Sequence, residues 1–297
     1  MQGVSCVSSI NIGELNGWVR DLAPEWSPDQ MGGFQYLEGG YNNRNFRFRY
    51  DDRLFVLRVP GKDSGFTDRA LEAEFYRQSS LHGLPRTPSI RGYCCESGRM
   101  LSEWVSGHLL ADLSVEPHEL ALLLQRLHDD LERLRVHMAG FGIRRYDPIQ
   151  YARKALAPTL APDWLKARAQ SMTWRPPRET LCHNDLNPWN LIRTAEGSWV
   201  TLDWEWLALN DPLFDLMALY QGAGWQPAPG SDTRALEEFA RSYADELIAA
   251  ERIRYCWSAY WLRETAWAAA AIHGGESRRE IVAQYELGLE WLKSLGG

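Results

Sequence analysis

No stretch of this sequence approaches the roughly 18 consecutive apolar residues that a membrane-spanning helix requires, so no span is expected. The amino-terminal run MQGVSCVSSINIGEL has no basic segment leading into an apolar core, so no secretory leader is expected either. Cysteine is scarce: Cys6, Cys94, Cys95, Cys182 and Cys256 form an odd set without metal-type spacing. The adjacent pair Cys94–Cys95 is poor geometry for a disulfide, and free thiols in a reducing cytoplasm are the expectation. Positive charge is in deficit, with 32 Lys and Arg against 39 Asp and Glu and a net charge of −7. That balance argues against a nucleic-acid partner and mildly favours a cationic small molecule. Internal repeats and low-complexity tracts are also lacking.

The chain does have length and aromatic rings. At 297 residues it is long for one hydrophobic core, and two domains are expected. Residues 34–60, FQYLEGGYNNRNFRFRYDDRLFVLRVP, alternate apolar and polar around Phe46, Phe48 and Tyr50, then around Phe55, Leu57 and Val59. This is a strand pattern with a hairpin turn at Asp51–Asp52–Arg53 and an earlier turn at Gly39–Gly40. Asp68 to His82 reads as a helix, capped by Asp68 and stopped by Gly83. After RMLSEWVSG the period becomes helical: Leu120, Leu123, Leu124, Leu127 and Leu131 fall on one face of Pro117–Leu134. NLIR and SWVTLDW face each other across TAEG as a short hairpin, and helices fill the chain from Asp211 to Leu295. The expected division is 1–104, strands with one helix, and 105–297, mainly helical.

Between Leu181 and Ile192 the run LCHNDLNPWNLI sets five polar side chains between apolar ends. Asp185 and Asn190 are five apart, the spacing of a kinase catalytic loop, and Asp203 ends an apolar strand one hairpin later. Phosphoryl transfer from ATP needs such a set, because the protein's part is positioning and charge neutralisation. One Asp meets the acceptor hydroxyl, an Asn and a second Asp hold magnesium, a cation clamps phosphate, and a glycine turn covers it. His183 is expected to brace the loop. Asp211 reads as a helix cap and Asp215 as a buried structural carboxylate.

HNDLNPWN, LDWEW, NDPLFDLMAL and GGYNNRNFRF…FVLRVPG together resemble the choline/ethanolamine kinases and the wider aminoglycoside phosphotransferase group, in the right order over about residues 35 to 295. The resemblance implies an α+β, bilobal protein-kinase-like fold, with a five-stranded antiparallel sheet in the N-lobe and a mainly helical C-lobe. It implies Asp185 as catalytic base, Asn190 and Asp203 as magnesium ligands, and Gly39, Gly40, Asn42 and Asn43 as the loop over the phosphates. Arg58 would contact phosphate, where an arginine points towards choline kinases rather than antibiotic kinases. Its helix partner is Glu72 or Glu74, with the spacing from Arg69 favouring Glu72. Ser102 to Val105, with Glu103, would be the hinge meeting adenine. ATP and magnesium are the implied cofactors.

The acceptor is expected to be a small cationic alcohol, choline or ethanolamine first. Trp257, Tyr260, Trp261 and Glu264 recur at i, i+3, i+4 and i+7 on one helix face, and aromatic faces can hold a quaternary ammonium. By the resemblance, Trp257 and Tyr260 align with the choline pocket and Glu205 with the acidic residue that follows the metal Asp. The competing possibility is that this face is core. Thiamine is the second acceptor, an aminoglycoside the third, since scattered carboxylates such as Glu276, Glu280, Glu286 and Glu290 suit a polycation poorly. A kinase fold acting only as a binding module would have lost the base or a metal ligand, and none is lost.

Overall fold

The computed structural model describes residues 10–38, 42–61, 66–226, 228–244 and 248–295. In chain order the helices and strands are α1 (Ile12–Leu22), β1 (Met31–Leu37), β2 (Asn43–Tyr50), β3 (Arg53–Pro60), α2 (Arg69–His82), β4 (Ile90–Tyr93), β5 (Met100–Glu103), β6 (His108–Leu109), α3 (Pro117–Arg135), α4 (Pro148–Leu156), α5 (Asp163–Ser171), β7 (Thr180–Cys182), β8 (Leu191–Arg193), β9 (Trp199–Thr201), β10 (Ala208–Asn210), α6 (Leu213–Gly222), α7 (Arg234–Tyr243), α8 (Ala250–His273) and α9 (Arg279–Ser294). They fall into two compact units, residues 1–107 with 192–205, and residues 108–191 with 206–297.

The first unit is a five-stranded antiparallel sheet in the order β1-β2-β3-β5-β4, with α1 and α2. Asp51 and Asp52 close the β2–β3 hairpin with φ of 46° and 60°. Two consecutive left-handed residues make the turn whose twist matches paired strands, and aspartate tolerates that region better than most side chains. Along β3, Phe55, Leu57 and Val59 point into a core shared with Phe46, Phe48 and Leu101. Strand alternation therefore sends Arg58 to the opposite face.

Two features extend the expected fold. Helix α1 begins on a capping box, Asn11 Oδ1 accepting from Glu14 N–H at 2.9 Å and Glu14 Oε2 from Asn11 N–H at 3.0 Å. It buries Leu15, Val19 and Leu22 in the sheet core. Gly92 is needed for that approach, since a Cβ there would lie 2.2 Å from the Leu22 carbonyl oxygen. The second feature is the β8–β9 hairpin, turned on Gly197 at φ 76°. The boundary expected at residue 104 assigned it to the helical domain, yet residues 192–205 cluster with the sheet. Thr201 N–H donates to the Arg86 carbonyl at 2.9 Å, and fully buried Trp204 packs 4.3 Å from the Phe75 ring of α2. Contacts distant in sequence made that assignment.

The second unit is mainly helical, and β7 pairs with β10 antiparallel, Cys182 opposite Ala208 and Thr180 opposite Asn210. Its core is unusually rich in tryptophan. Trp257 and Trp261 of α8 and Trp291 of α9 are each at most 1% exposed. They meet as stacked and edge-on pairs 5.4 to 6.0 Å apart. Among the described residues no helix is long and apolar enough to cross a membrane.

Candidate active site

In the first unit the chemistry collects on Arg58. Its guanidinium makes two parallel bonds to Glu72 of α2, Nη1 to Oε1 at 2.6 Å and Nη2 to Oε2 at 2.8 Å, and Nη1 reaches Asp203 Oδ1 at 3.0 Å. This decides the partner: Glu72 takes Arg58, while Glu74 pairs outward with Arg77 at 2.6 Å. The Tyr93 hydroxyl donates to Glu72 Oε2 at 2.6 Å. Arg58 and Glu72 are only 4% and 2% exposed, so each charge survives burial because the other is there. Burial pushes the Arg58 pKa down, but Glu72 and then Asp203 outweigh it and leave the guanidinium firmly charged. A charged arginine fork is a good match for phosphate oxygens.

Asp203 sits beyond β9 at φ 59°, a left-handed backbone that a non-glycine residue adopts only where its surroundings impose it. Asn43 Nδ2 lies 3.3 and 3.4 Å from its two carboxylate oxygens, and Asn43 Oδ1 is buried with no hydrogen-bond partner. An aspartate beside an unused amide oxygen is a hard oxygen donor set of the kind magnesium takes. Glu205 lies near the same charge. Burial, and then the Asp203 carboxylate, push its pKa up to about 8. Asn42 accepts from Gly61 N–H at 2.7 Å, and a Cβ at Gly61 would lie 2.4 Å from that oxygen. Gly39 and Gly40 lie outside the described residues. Glu103 ends β5, its carboxylate paired with Arg53 at 2.7 Å and also with Arg91. Only its backbone is left for a hinge role.

In the second unit β7 runs directly into the loop that carries Asp185. Asp215, fully buried on α6, accepts from the His183 and Asn184 N–H groups at 2.8 and 2.7 Å. Its Oδ2 also lies 3.1 Å from His128 Nε2. His183 Nδ1 accepts from Asp185 N–H at 3.2 Å. These contacts give Asp215 and His183 the bracing roles expected of them. Asp211 accepts from Leu213 N–H at 3.0 Å at the start of α6 and pairs with Arg252 at 2.8 Å.

Asn184 turns the loop at φ 66°. Its amide spans β7 and β10, donating to Trp206 O at 2.9 Å and accepting from Asn210 Nδ2 at 2.7 Å. A 3-10 turn, Pro188–Asn190, then brings Asn190 Nδ2 to the Asp185 carbonyl at 2.9 Å. With its nitrogen so engaged, the Asn190 amide keeps its oxygen for a ligand. Asp185 itself keeps 29% of its side chain exposed. The loop thus has a fixed backbone and an accessible carboxylate, which is the arrangement a general base needs.

The aromatic face of α8 is core, not an open pocket. Trp257 stacks on Tyr260 at 5.7 Å and 11°, and both rings, like Trp261, are at most 3% exposed. The helical period that suggested a ligand face is the same period that packs a helix onto its neighbours. Trp257→Leu should therefore destabilise the protein by about 2–4 kcal/mol, within the range for truncating a buried aromatic. Denaturant unfolding measures this. An unchanged midpoint with an acceptor KM raised about tenfold would return the ring to the binding site.

Sequence reasoning missed Arg263. It lies on α8 next to Glu264, and its guanidinium approaches Asp185 at 3.4 Å and Glu264 at 2.5 Å. The available signal was a charged pair inside an otherwise apolar helical run, YWLRETAW.

Residues 33–265 match the phosphotransferase enzyme family, APH, so this chain belongs to that family and is a phosphotransferase. Its fold is similar to that of a choline kinase from Streptococcus pneumoniae, at 18% identity and a TM-score of 0.71, over 94% of this chain and 99% of that one. An ethanolamine kinase from Plasmodium vivax is similar at 17% identity and 0.61, over 94% and 85% of the two chains. A macrolide 2'-phosphotransferase from Brachybacterium faecium is similar at 20% identity and 0.58, over 94% and 96%. At these identities the likeness is one of fold, the bilobal protein-kinase-like one. No curated protein sequence matches the chain.

Proposed function

We propose that this protein is an ATP-dependent kinase that transfers the γ-phosphoryl group to the hydroxyl of a small cationic alcohol, choline or ethanolamine before others. Asp185 accepts the hydroxyl's proton and aims its oxygen at phosphorus. Arg58, held by Glu72, neutralises phosphate charge, and the segment containing Gly39, Gly40, Asn42 and Asn43 covers the phosphates. Asp203 would supply carboxylate oxygens and Asn190 an amide oxygen for magnesium, whose charge would offset that of the phosphate oxygens.

The observation that supports a cationic acceptor is the pair of carboxylates at the base. Asp185 and Glu264 are two carboxylates that both meet Arg263, at 3.4 and 2.5 Å, so acidic groups gather where the acceptor would sit. Glu264 stays close to that site with 13% of its side chain exposed. Tyr146 and Tyr151, nearly buried and electrostatically coupled to the same three groups, lower the local polarity, which strengthens attraction for an ammonium. The S. pneumoniae choline kinase supports the same reading at the level of fold, and it has also been solved with AMP.

Steady-state phosphorylation of choline, ethanolamine, thiamine, an aminoglycoside and a macrolide, each with magnesium and ATP, tests it. The expected result is a kcat/KM for choline or ethanolamine at least about tenfold above the rest, the worth of roughly 1.4 kcal/mol in transition-state binding. A preference for the aminoglycoside or macrolide would overturn the acceptor class. ATP turnover indifferent to all five would overturn the acceptor reading entirely.

A further inference from the structure

Arg263 is buried at 8% exposure on a helix whose neighbouring side chains are almost all apolar. Its guanidinium donates to the Asn184 carbonyl at 2.6 Å, faces Asp185 Oδ1 at 3.4 and 3.5 Å, pairs with Glu264, and lies over the Phe214 ring at 5.5 Å. Burial alone would push its pKa down. Glu264, Tyr146, Asp185 and Tyr260 more than offset this and keep it charged. The other loop-bracing groups each hold backbone. His183 takes the Asp185 N–H, Asn190 holds the Asp185 carbonyl, and Asp215 holds the two preceding N–H groups. Arg263 touches both the peptide before the base and the base's own carboxylate.

We propose that Arg263 is a positioning residue for phosphoryl transfer, fixing the Asn184 peptide with one amino group while setting the direction of the Asp185 carboxylate. The inference rests on the reading of Asp185 as the base. The carbonyl bond pins the loop where the left-handed Asn184 turns it. The longer carboxylate contacts orient Asp185 by charge without tying up an oxygen at short range, so the base stays usable. Misplacing a reacting group by an ångström costs about 10²-fold in rate, which sets the scale of the effect.

The test uses the full-length chain and compares Arg263→Gln, Arg263→Lys, Asp185→Asn and the double variant Asp185→Asn/Arg263→Gln, with circular dichroism and melting as fold controls. Arg263→Gln should lower kcat by about 10–10²-fold while KM for ATP and for acceptor change less than about threefold. Arg263→Lys, which keeps the charge but not the planar fork, should recover kcat only in part, to between about a tenth and a half of wild type. The double variant should be no slower than Asp185→Asn alone, because both changes act through one carboxylate.

A folded Arg263→Gln with wild-type kcat would overturn the inference, as would losses that multiply in the double variant. If Arg263→Gln does not fold, Arg263→Lys decides alone. A folded lysine variant with a reduced kcat and unchanged KM values supports the role, and one with wild-type kcat or altered KM values overturns it. Failure of the underlying reading looks different: Asp185→Asn itself would keep more than about a tenth of wild-type turnover.

Discussion

Replacing Asp185 by Asn should lower turnover by about 10²–10⁴-fold, the usual contribution of a positioned general base, with ATP affinity nearly unchanged. The substitution is close to isosteric and removes only the charge and the basicity. The loop should hold, because the contacts that shape it run through Asp215, His183 and Asn190 and use the backbone around Asp185. The nucleotide should bind as before, because the arginine fork and Asp203 lie in the sheet-containing unit and are untouched. Initial rates at saturating acceptor measure the first expectation. Retention of more than about a tenth of turnover would remove Asp185 from the chemistry.

Asp203→Ala should act on binding. Without its carboxylate, magnesium would lose the direct ligand proposed for it, and of the two carboxylates paired with Arg58 only Glu72 would remain. Losing even an indirect metal contact typically costs 10–100-fold in affinity, so a loss on the order of 10²-fold in magnesium-dependent ATP affinity is expected. The protein should still fold, since the buried Arg58–Glu72 pair stays intact and Trp204 keeps its place against Phe75. Titrating ATP with and without magnesium separates the two contributions. Equal affinity of wild type and variant in magnesium would mean that Asp203 is not a metal ligand.

Much of this was legible in the residues because each feature was carried by local chemistry. The Asp51–Asp52 turn, the helix from Asp68 to Gly83 and the β8–β9 hairpin follow from neighbours in sequence. The five-residue interval from Asp185 to Asn190 is likewise local, and the structure adds the bond that joins them. What stayed hidden depends on long-range packing. The helical period of α8 could not say whether Trp257, Tyr260 and Trp261 face a ligand or a neighbouring helix, and Trp291, 30 residues beyond Trp261, closes that face. The raised pKa of Glu205 comes from burial and from the Asp203 carboxylate, which its neighbours in sequence do not reveal. Arg263 meets Asp185 across 78 residues, beyond the reach of any spacing rule.

In the proposed division of labour the sheet-containing unit would hold the nucleotide through Arg58 and Asp203, and the helical unit would present the base. Calorimetric titration of magnesium-ATP into Asp185→Asn and Asp203→Ala, side by side with wild type, tests it most directly. The predicted result is wild-type affinity for Asp185→Asn and a loss on the order of 10²-fold for Asp203→Ala. Equal affinities in the two variants, whether both retained or both lost, would contradict it.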